Sequence, residues 1–161
     1  MNETAFSVKP FQAGIDDPAE IARIHLGIRQ WQEEIDQNKF LDIQDSQADL
    51  KTLDEYYVAR GGNFFIAKDS EWQVIGFMGL RNDGDGHGVL KRLAVIPEHQ
   101  RQGIGKVLIA EAIEWARQNG FTKLSLHTGI TEKARPLYEK FGFEVLGFRE
   151  ARHDCYMALD L

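Results

Sequence analysis

The sequence predicts an α+β fold on one mixed, mainly antiparallel sheet of about seven strands, with a single parallel pair. Two observations carry that expectation. Three strand-like runs, at residues 64–67, 72–80 and 89–96, follow one another through short turns at Asp69-Ser70-Glu71 and at residues 82–88, as in a meander. The third run leads into a helical pattern and then into Leu124-Ser125-Leu126-His127. A strand–helix–strand order makes the two flanking strands parallel through a right-handed crossover.

The remaining elements follow from local signals. Phe6-Ser7-Val8-Lys9 alternates as a first strand that Pro10 closes. Asp17-Pro18-Ala19-Glu20 is a helix start, with an aspartate cap, proline at the first helical position and a glutamate placed for a capping box. Ile21, Ile24, Ile28, Trp31 and Ile35 then recur at spacings of three and four, giving that helix one apolar face. Ser46-Gln47-Ala48-Asp49 reads as a second cap, with Leu50, Leu53 and Tyr57 continuing as a helix to Gly61-Gly62. Between these helices Phe40, Leu41 and Ile43 make an apolar loop. The helix after the meander, residues 103–119, aligns Ile104, Val107, Leu108, Ala112, Ile113 and Ala116, and Gly120 ends it. A short helix at about residues 132–141 stops at Gly142, and two strands at 143–148 and 155–159 close the chain. No linker, repeat or low-complexity segment interrupts the pattern, so residues 1–161 read as one domain.

Composition limits the function classes. At 161 residues, 43% hydrophobic and 27% charged, the chain suits an ordinary globular domain with a proper core. The single cysteine, Cys155, excludes an internal disulfide and suits a reducing cytoplasm. The first residues do not resemble a signal peptide, and no apolar run approaches the ~20 residues that span a bilayer, so no membrane role is expected. A net charge of −6 argues against nucleic-acid binding. The histidines and Cys155 lack zinc-ligand spacing, and Asp83-Gly84-Asp85-Gly86-His87 fails the calcium-loop pattern at its third ligand and closing glutamate, so no metal is expected.

The chemistry centres on Gln100-Arg101-Gln102-Gly103-Ile104-Gly105-Lys106, between the fourth strand and the long helix. A helix start exposes unpaired N–H groups and a partial positive charge, which suit phosphate. Glycines at 103 and 105 let an anion approach the backbone directly. On spacing alone, a phosphate-binding turn and an ordinary strand-to-helix turn are equally good readings. A dinucleotide fingerprint fails at Leu108, and a Walker loop fails because Gly105-Lys106-Val107 lacks the final Ser or Thr. A second constellation, Ala134-x-x-Leu137-Tyr138-x-Lys140-x-Gly142-Phe143, forms a helical stripe in which only the Tyr138 hydroxyl demands a polar partner.

Gln100-x-x-Gly103-x-Gly105 resembles the coenzyme A signature of the GNAT acetyltransferases, and the second constellation resembles their other recurrent motif. The two motifs stand in the family's order, and the element order matches over the whole chain. The resemblance implies a GNAT-type sheet with helices on both faces and a splayed parallel pair. It implies acetyl-CoA as cosubstrate, with pantetheine along Leu93, Ala94 and Val95 and pyrophosphate on amides from Arg101 through Lys106, including Gln102 and Ile104. Gln100 belongs to the same motif, and the helix bearing Ala134, Leu137, Tyr138 and Lys140 forms the other wall. Thr131 stands where many relatives have asparagine. The implied reaction is direct acetyl transfer to a primary amine of a small molecule or peptide, with a strand amide near Leu93 or Ala94 for the oxyanion and Tyr138 beside the leaving sulfur. The alternative is an acyl-CoA-binding module without turnover. Some relatives use a glutamate early on the fourth strand, but Gly88-Val89-Leu90 stands there. Candidates for the proton acceptor are therefore His127, Glu33, Glu34 or a water chain. Strand alternation should send one of Lys91 and Arg92 to solvent, the other cation suiting an acceptor with a carboxylate or phosphate. The acidic residues Glu33, Glu34, Asp36, Asp42, Asp45 and Asp49 read best as solvated charge. Dimers are common among relatives, which leaves a homodimer open.

Overall fold

The computed structural model describes residues 5–36, 47–129 and 134–161, with the backbone alone for 32–36. Seven strands form one sheet in the order β1-β2-β3-β4-β5-β7-β6. They are β1 Phe6–Pro10, β2 Asn63–Asp69, β3 Val74–Gly84, β4 His87–Val95, β5 Lys123–Gly129, β6 Glu144–Arg149 and β7 Asp154–Asp160. The pair β4 and β5 is parallel, and every other neighbouring pair is antiparallel. The expected sheet is therefore the observed one.

Helices cover both faces. The first, α1 Pro18–Asp36, begins where the Asp17 carboxylate accepts the Ala19 N–H at 3.0 Å. Ile21, Ala22 and Ile28 of α1 pack with Leu50, Leu53, Tyr57, Phe64, Ile66, Phe77 and Ala94 on one face. On the other face α3 Ile104–Gln118 buries Ile104, Leu108, Ile109, Ala112, Ile113 and Ala116 against β1, β2, β3 and β4. The short α4 Ala134–Lys140 joins that second core through Tyr138 and Leu137. Gly120 and Gly142, with φ of +83° and +98°, end α3 and α4 in the left-handed conformation expected of them.

Several elements differ from the sequence reading. The expected helix from residue 48 to the Gly61-Gly62 pair is a four-residue turn, α2 Ala48–Lys51, followed by a π-helical turn Asp54–Val58. Gln47 precedes α2 in a left-handed conformation, φ +51°, and caps nothing with its side chain. Instead its amide meets the buried His25 ring at 2.9 Å. Pro10 lies within β1 and pairs with Phe65, as an edge strand permits. Trp72 sits in a turn at φ +65°, and β3 starts only at Val74. The following turn is tighter than expected, because β3 and β4 extend to Gly84 and His87. Ser46, the loop carrying Phe40, Leu41, Ile43, Asp42 and Asp45, and Thr131 lie outside the described residues.

Two cores meet across the sheet at tight positions. A Cβ added at Gly79 would lie 2.7 Å from the ring of the fully buried Tyr57. Gly79→Ala should therefore cost about 1–3 kcal/mol through overpacking. The check is the urea-unfolding midpoint, and an unshifted midpoint would show that the ring yields freely.

Candidate active site

The site is built where the parallel pair comes apart. Strand β4 pairs with β5 only over His87, Gly88 and Val89, opposite Lys123, Leu124 and Ser125. Past that point β4 continues beside β3 and β5 continues beside β7, with no ladder between them. The gap runs past Leu90, Leu93 and Val95, which pack toward the α3 side, and past Ala94, which packs toward the α1 side.

A bulge shapes the β4 edge of this gap. Phe77 pairs with Ala94 and Gly79 with Lys91, so one residue of β3 spans Arg92 and Leu93 of β4. Arg92 takes φ +65°, a conformation that costs a non-glycine residue roughly 1–2 kcal/mol. Its guanidinium is held side-on by Asp49, with Nε donating to Oδ2 at 3.0 Å and Nη2 to Oδ1 at 2.8 Å. The Tyr57 hydroxyl donates to the same Oδ2 at 2.7 Å. Burial pushes the Asp49 carboxyl up, but the hydrogen bonds from Arg92 and Tyr57 outweigh it and hold the group below the usual range. Burial and the Asp49 charge together push the Tyr57 phenol far up, so it stays a proton donor. Asp49 is thus buried and paired, and the expectation of solvated charge fails there. The side chains of Glu33, Glu34 and Asp36 are outside the described residues, as are Asp42 and Asp45.

The bulge also corrects the alternation of Lys91 and Arg92. The extra residue turns both cations toward the α2 side, where Lys91 Nζ donates to the Tyr56 hydroxyl at 3.3 Å. Arg81 Nη1 donates to the same oxygen at 3.4 Å, while its Nε and Nη2 hold Asp83 at 2.6 and 3.0 Å. Burial pushes the Tyr56 phenol up, and the hydrogen bond from Arg81 and the charge of Lys91 more than reverse that.

Beyond β4 the chain makes a 3-10 turn, Pro97–His99, and Gln100 Nε2 ties it back by donating to the Val95 carbonyl at 3.1 Å. Arg101 and Gly103 then take positive φ, +64° and +82°, with residues 101–103 exposed. Gly103 is the cap residue of α3 and has no side chain to satisfy the first amides, those of Ile104, Gly105 and Lys106. A Cβ at Gly103 would meet nothing within 4 Å, and one at Gly105 would meet only Leu137 Cδ2, at 3.5 Å. The surface over these amides is open, with Leu137 of α4 at its edge. These residues fit a pyrophosphate group: bare N–H donors, a helix N-terminus of 15 residues, and no obstructing side chain.

Helix α4 sets Tyr138 among buried residues, edge-on to Phe143 at 5.6 Å between ring centroids, while Ala134 is half-buried and Lys140 exposed. His127 lies elsewhere. Leu124 and Leu126 enter the core shared with Tyr138, so the alternate residue His127 points to the opposite sheet face. Its ring is exposed and lies 5.2 Å from that of Tyr156. Burial, then the Arg149 charge, lowers its pKa, so it is neutral at neutral pH. The structure therefore gathers Gln100 through Lys106 with Leu137 and separates Tyr138 from His127 by the sheet. The structure also brings Asp49, Tyr56, Tyr57 and Arg81 together with Lys91 and Arg92 on the other face of the sheet, a grouping the sequence reading did not make. No metal-binding group of histidine, cysteine and carboxylates occurs among the described residues.

Comparison with known proteins places this architecture. A crystal structure of a GNAT-family acetyltransferase from Staphylococcus aureus matches with a TM-score of 0.81 at 21% identity, covering 98% of this chain and 99% of that one. The PaiA N-acetyltransferase of Thermoplasma acidophilum, solved in complex with coenzyme A, matches with a TM-score of 0.77 at 21% identity, covering 96% and 99%. At these identities the likeness establishes a shared fold. The model of the acetyltransferase (GNAT) family matches residues 27–143, and the chain belongs to that family. Among curated relatives, human N-acetyltransferase 8 is 30% identical over 128 residues, which is 76% of this chain and 53% of that protein. The chain spans about half the length of the curated relatives it matches first.

The buried carboxylate gives a pH-dependent prediction. Asp49 titrates lower in the folded state than its ordinary ~3.9, so its contribution is complete above that pH and fades as pH falls through the folded value. Asp49→Asn should cost about 3 kcal/mol at pH 7, because it leaves the Arg92 charge buried without its partner. Thermal unfolding from pH 7 to 3 should show the gap between wild type and variant narrowing below about pH 4. A constant gap would exclude Asp49 as the titrating group.

Proposed function

We propose that the chain transfers an acetyl group from acetyl-CoA to a primary amine of a small molecule or peptide. Family membership supports this, and the observation that carries it is the unobstructed turn at residues 101–106, where bare helix amides face open space. Bound acetyl-CoA supplies the thioester. The amides of Ile104, Gly105 and Lys106 hold the pyrophosphate, with Arg101, Gln102 and Gly103 completing the turn and Gln100 fixing it to Val95. Leu93, Ala94 and Val95 offer the β4 edge of the gap to pantetheine, and a β4 amide at Leu93 or Ala94 steadies the oxygen that becomes negative as nitrogen adds. Ala134, Leu137 and Lys140 form the opposite wall, and Thr131 is a further cofactor-binding candidate on its place in the sequence motif alone.

The new C–N bond forms as the C–S bond breaks, the amine proton leaving and the sulfur gaining one. Tyr138 serves the sulfur by hydrogen bonding. A full transfer from a phenol near ~10 to a thiolate of ~8.5 is uphill by ~2 kcal/mol, so the proton moves late if at all. The acceptor amine, near ~10.4, must lose its proton before it attacks. The candidates for that step are His127, which is neutral at neutral pH and faces the side of the sheet away from Tyr138, and also Glu33, Glu34 or a water chain.

The test is calorimetry with coenzyme A together with thiol release from acetyl-CoA over a panel of amines. Heat on binding with thiol release supports the reading. Binding without turnover on any amine would leave an acyl-CoA-binding module, and no binding would exclude both. Two variants sharpen the test. Gly105→Ala should leave thermal stability unchanged or slightly raised, as alanine favours helix and meets only Leu137, while weakening coenzyme A about 10-fold or more. Tyr138→Phe should lower kcat by ~10–1,000-fold with little change in acetyl-CoA affinity. Equal losses in both would make Tyr138 a wall of the site with no role at the sulfur.

A further inference from the structure

Charge around the Tyr56 hydroxyl is unbalanced in a way the fold does not require. Three cations of β3 and β4 converge on the face of the sheet that carries α1 and α2: Arg81, Lys91 and Arg92. Two have carboxylate partners, Asp83 for Arg81 and Asp49 for Arg92. Among the described residues no carboxylate lies within ion-pair distance of Lys91. A fourth cation, the exposed Arg60, lies 4.9 Å from the Tyr56 ring centroid and has no such partner either. In a chain of net charge −6, this is a local positive spot.

The phenol oxygen fixes the geometry. It accepts from Lys91 at 3.3 Å and from Arg81 at 3.4 Å, which occupies both of its acceptor positions. Its own O–H remains a donor, and among the described residues nothing accepts it. Lys91 Nζ, 5.4 Å from the ring centroid, keeps donors beyond the one it gives to Tyr56. An ammonium and a hydroxyl, side by side and half-buried, thus present donors with no partner of their own.

The position of this pair gives it meaning. Lys91 is the second β4 residue past Val89, where the ladder to β5 ends, so it stands where the gap begins. The turn at residues 101–106 and helix α4 lie on the α3 side, whereas Lys91 and Tyr56 lie on the α1 side. A group entering the gap from the face opposite the cofactor elements enters on the side that carries Lys91. We infer that Lys91 and the Tyr56 hydroxyl seat an anionic group, carboxylate or phosphate, of the acceptor, so that the preferred substrate is an amine carrying a negative charge. This rests on the acetyl-transfer reading and adds the acceptor's chemical class to it.

The experiment measures thiol release from acetyl-CoA with matched acceptors. These are amino acids with one to five carbons between amine and carboxylate, each against its methyl ester, and aminoethyl phosphate against ethanolamine. Wild type should prefer at least one anionic member over its neutral partner. Lys91→Gln should reduce that preference, as a ratio of kcat/KM, by about 10- to 100-fold, the scale of losing a charged hydrogen bond. Lys91→Arg should retain part of it, and Tyr56→Phe should reduce it less than Lys91→Gln does. Lys9→Gln, which removes a distant exposed charge, should change neither member of a pair. The carboxylate and phosphate arms identify which anion the seat takes. Turnover of amines without preference for any anionic member, or a preference that Lys91→Gln leaves intact, overturns this proposal alone. Absence of thiol release with every amine overturns the acetyl-transfer reading, and this proposal with it. Should Lys91→Gln fail to fold, Tyr56→Phe decides by the same ratio.

Discussion

The site depends on a ladder that stops. Buried backbone donors and acceptors need partners, so two adjacent strands ordinarily stay paired as far as both continue. Here β4 and β5 share only three register positions, and each finds its further partners on its other side, β3 and β7. The sheet stays continuous at one end and opens at the other. The connection between the strands, helix α3, begins at the open end, so its unpaired amides and the free edge of β4 arrive together. One topological fact thus places a set of phosphate-type donors and a strand edge at a single cleft.

The bulge in β4 adds sidedness. A regular strand would turn Lys91 and Arg92 to opposite faces. With Arg92 at positive φ, both cations reach the α2 side, and Leu93 returns to the α3 side. The cleft consequently has two unlike walls: one where Leu137 and Tyr138 of α4 pack into the apolar core, and a cationic one where the π-helical turn brings Tyr56 and Tyr57 to the sheet. The irregular turn matters here, because two adjacent aromatic residues serve different ends. Tyr57 is fully buried and donates to Asp49, while Tyr56 remains half-exposed between Arg81 and Lys91.

Much of this was legible in the sequence, and the exceptions share one cause. The meander of β2, β3 and β4, the parallel pair and the helix start at Gly103 follow from local signals: alternation, helical spacing, and a glycine at a position that takes φ +82°. The insertion of β7 between β5 and β6 carries no local mark. The open phosphate-type turn was legible for the same reason, since Gly103 and Gly105 advertise a missing side chain. The bulge was not, because Lys91-Arg92-Leu93 carries no glycine or proline to mark it. Asp49 was read as solvated charge because its partner lies 43 residues away and turns inward only once the bulge has formed. The π-helical turn was hidden likewise: Leu50, Leu53 and Tyr57 keep a helical spacing, although the backbone between them changes pitch.

The coupling of the bulge to Asp49 also constrains how the cation at position 92 can be used. A left-handed arginine is unfavourable on its own, and a buried guanidinium more so. The two costs are offset together by one bidentate carboxylate, itself held by the Tyr57 hydroxyl. Arg92 is therefore committed to holding the strand edge in shape, and drawing it toward a ligand would release Asp49 into an apolar core. Arg81 is bound in the same manner by Asp83, though nearer to solvent. Of the three cations that β3 and β4 turn to this face, Lys91 alone can take an anionic ligand without breaking an ion pair among the described residues. Its flexible stem lets it do so while β4 stays fixed.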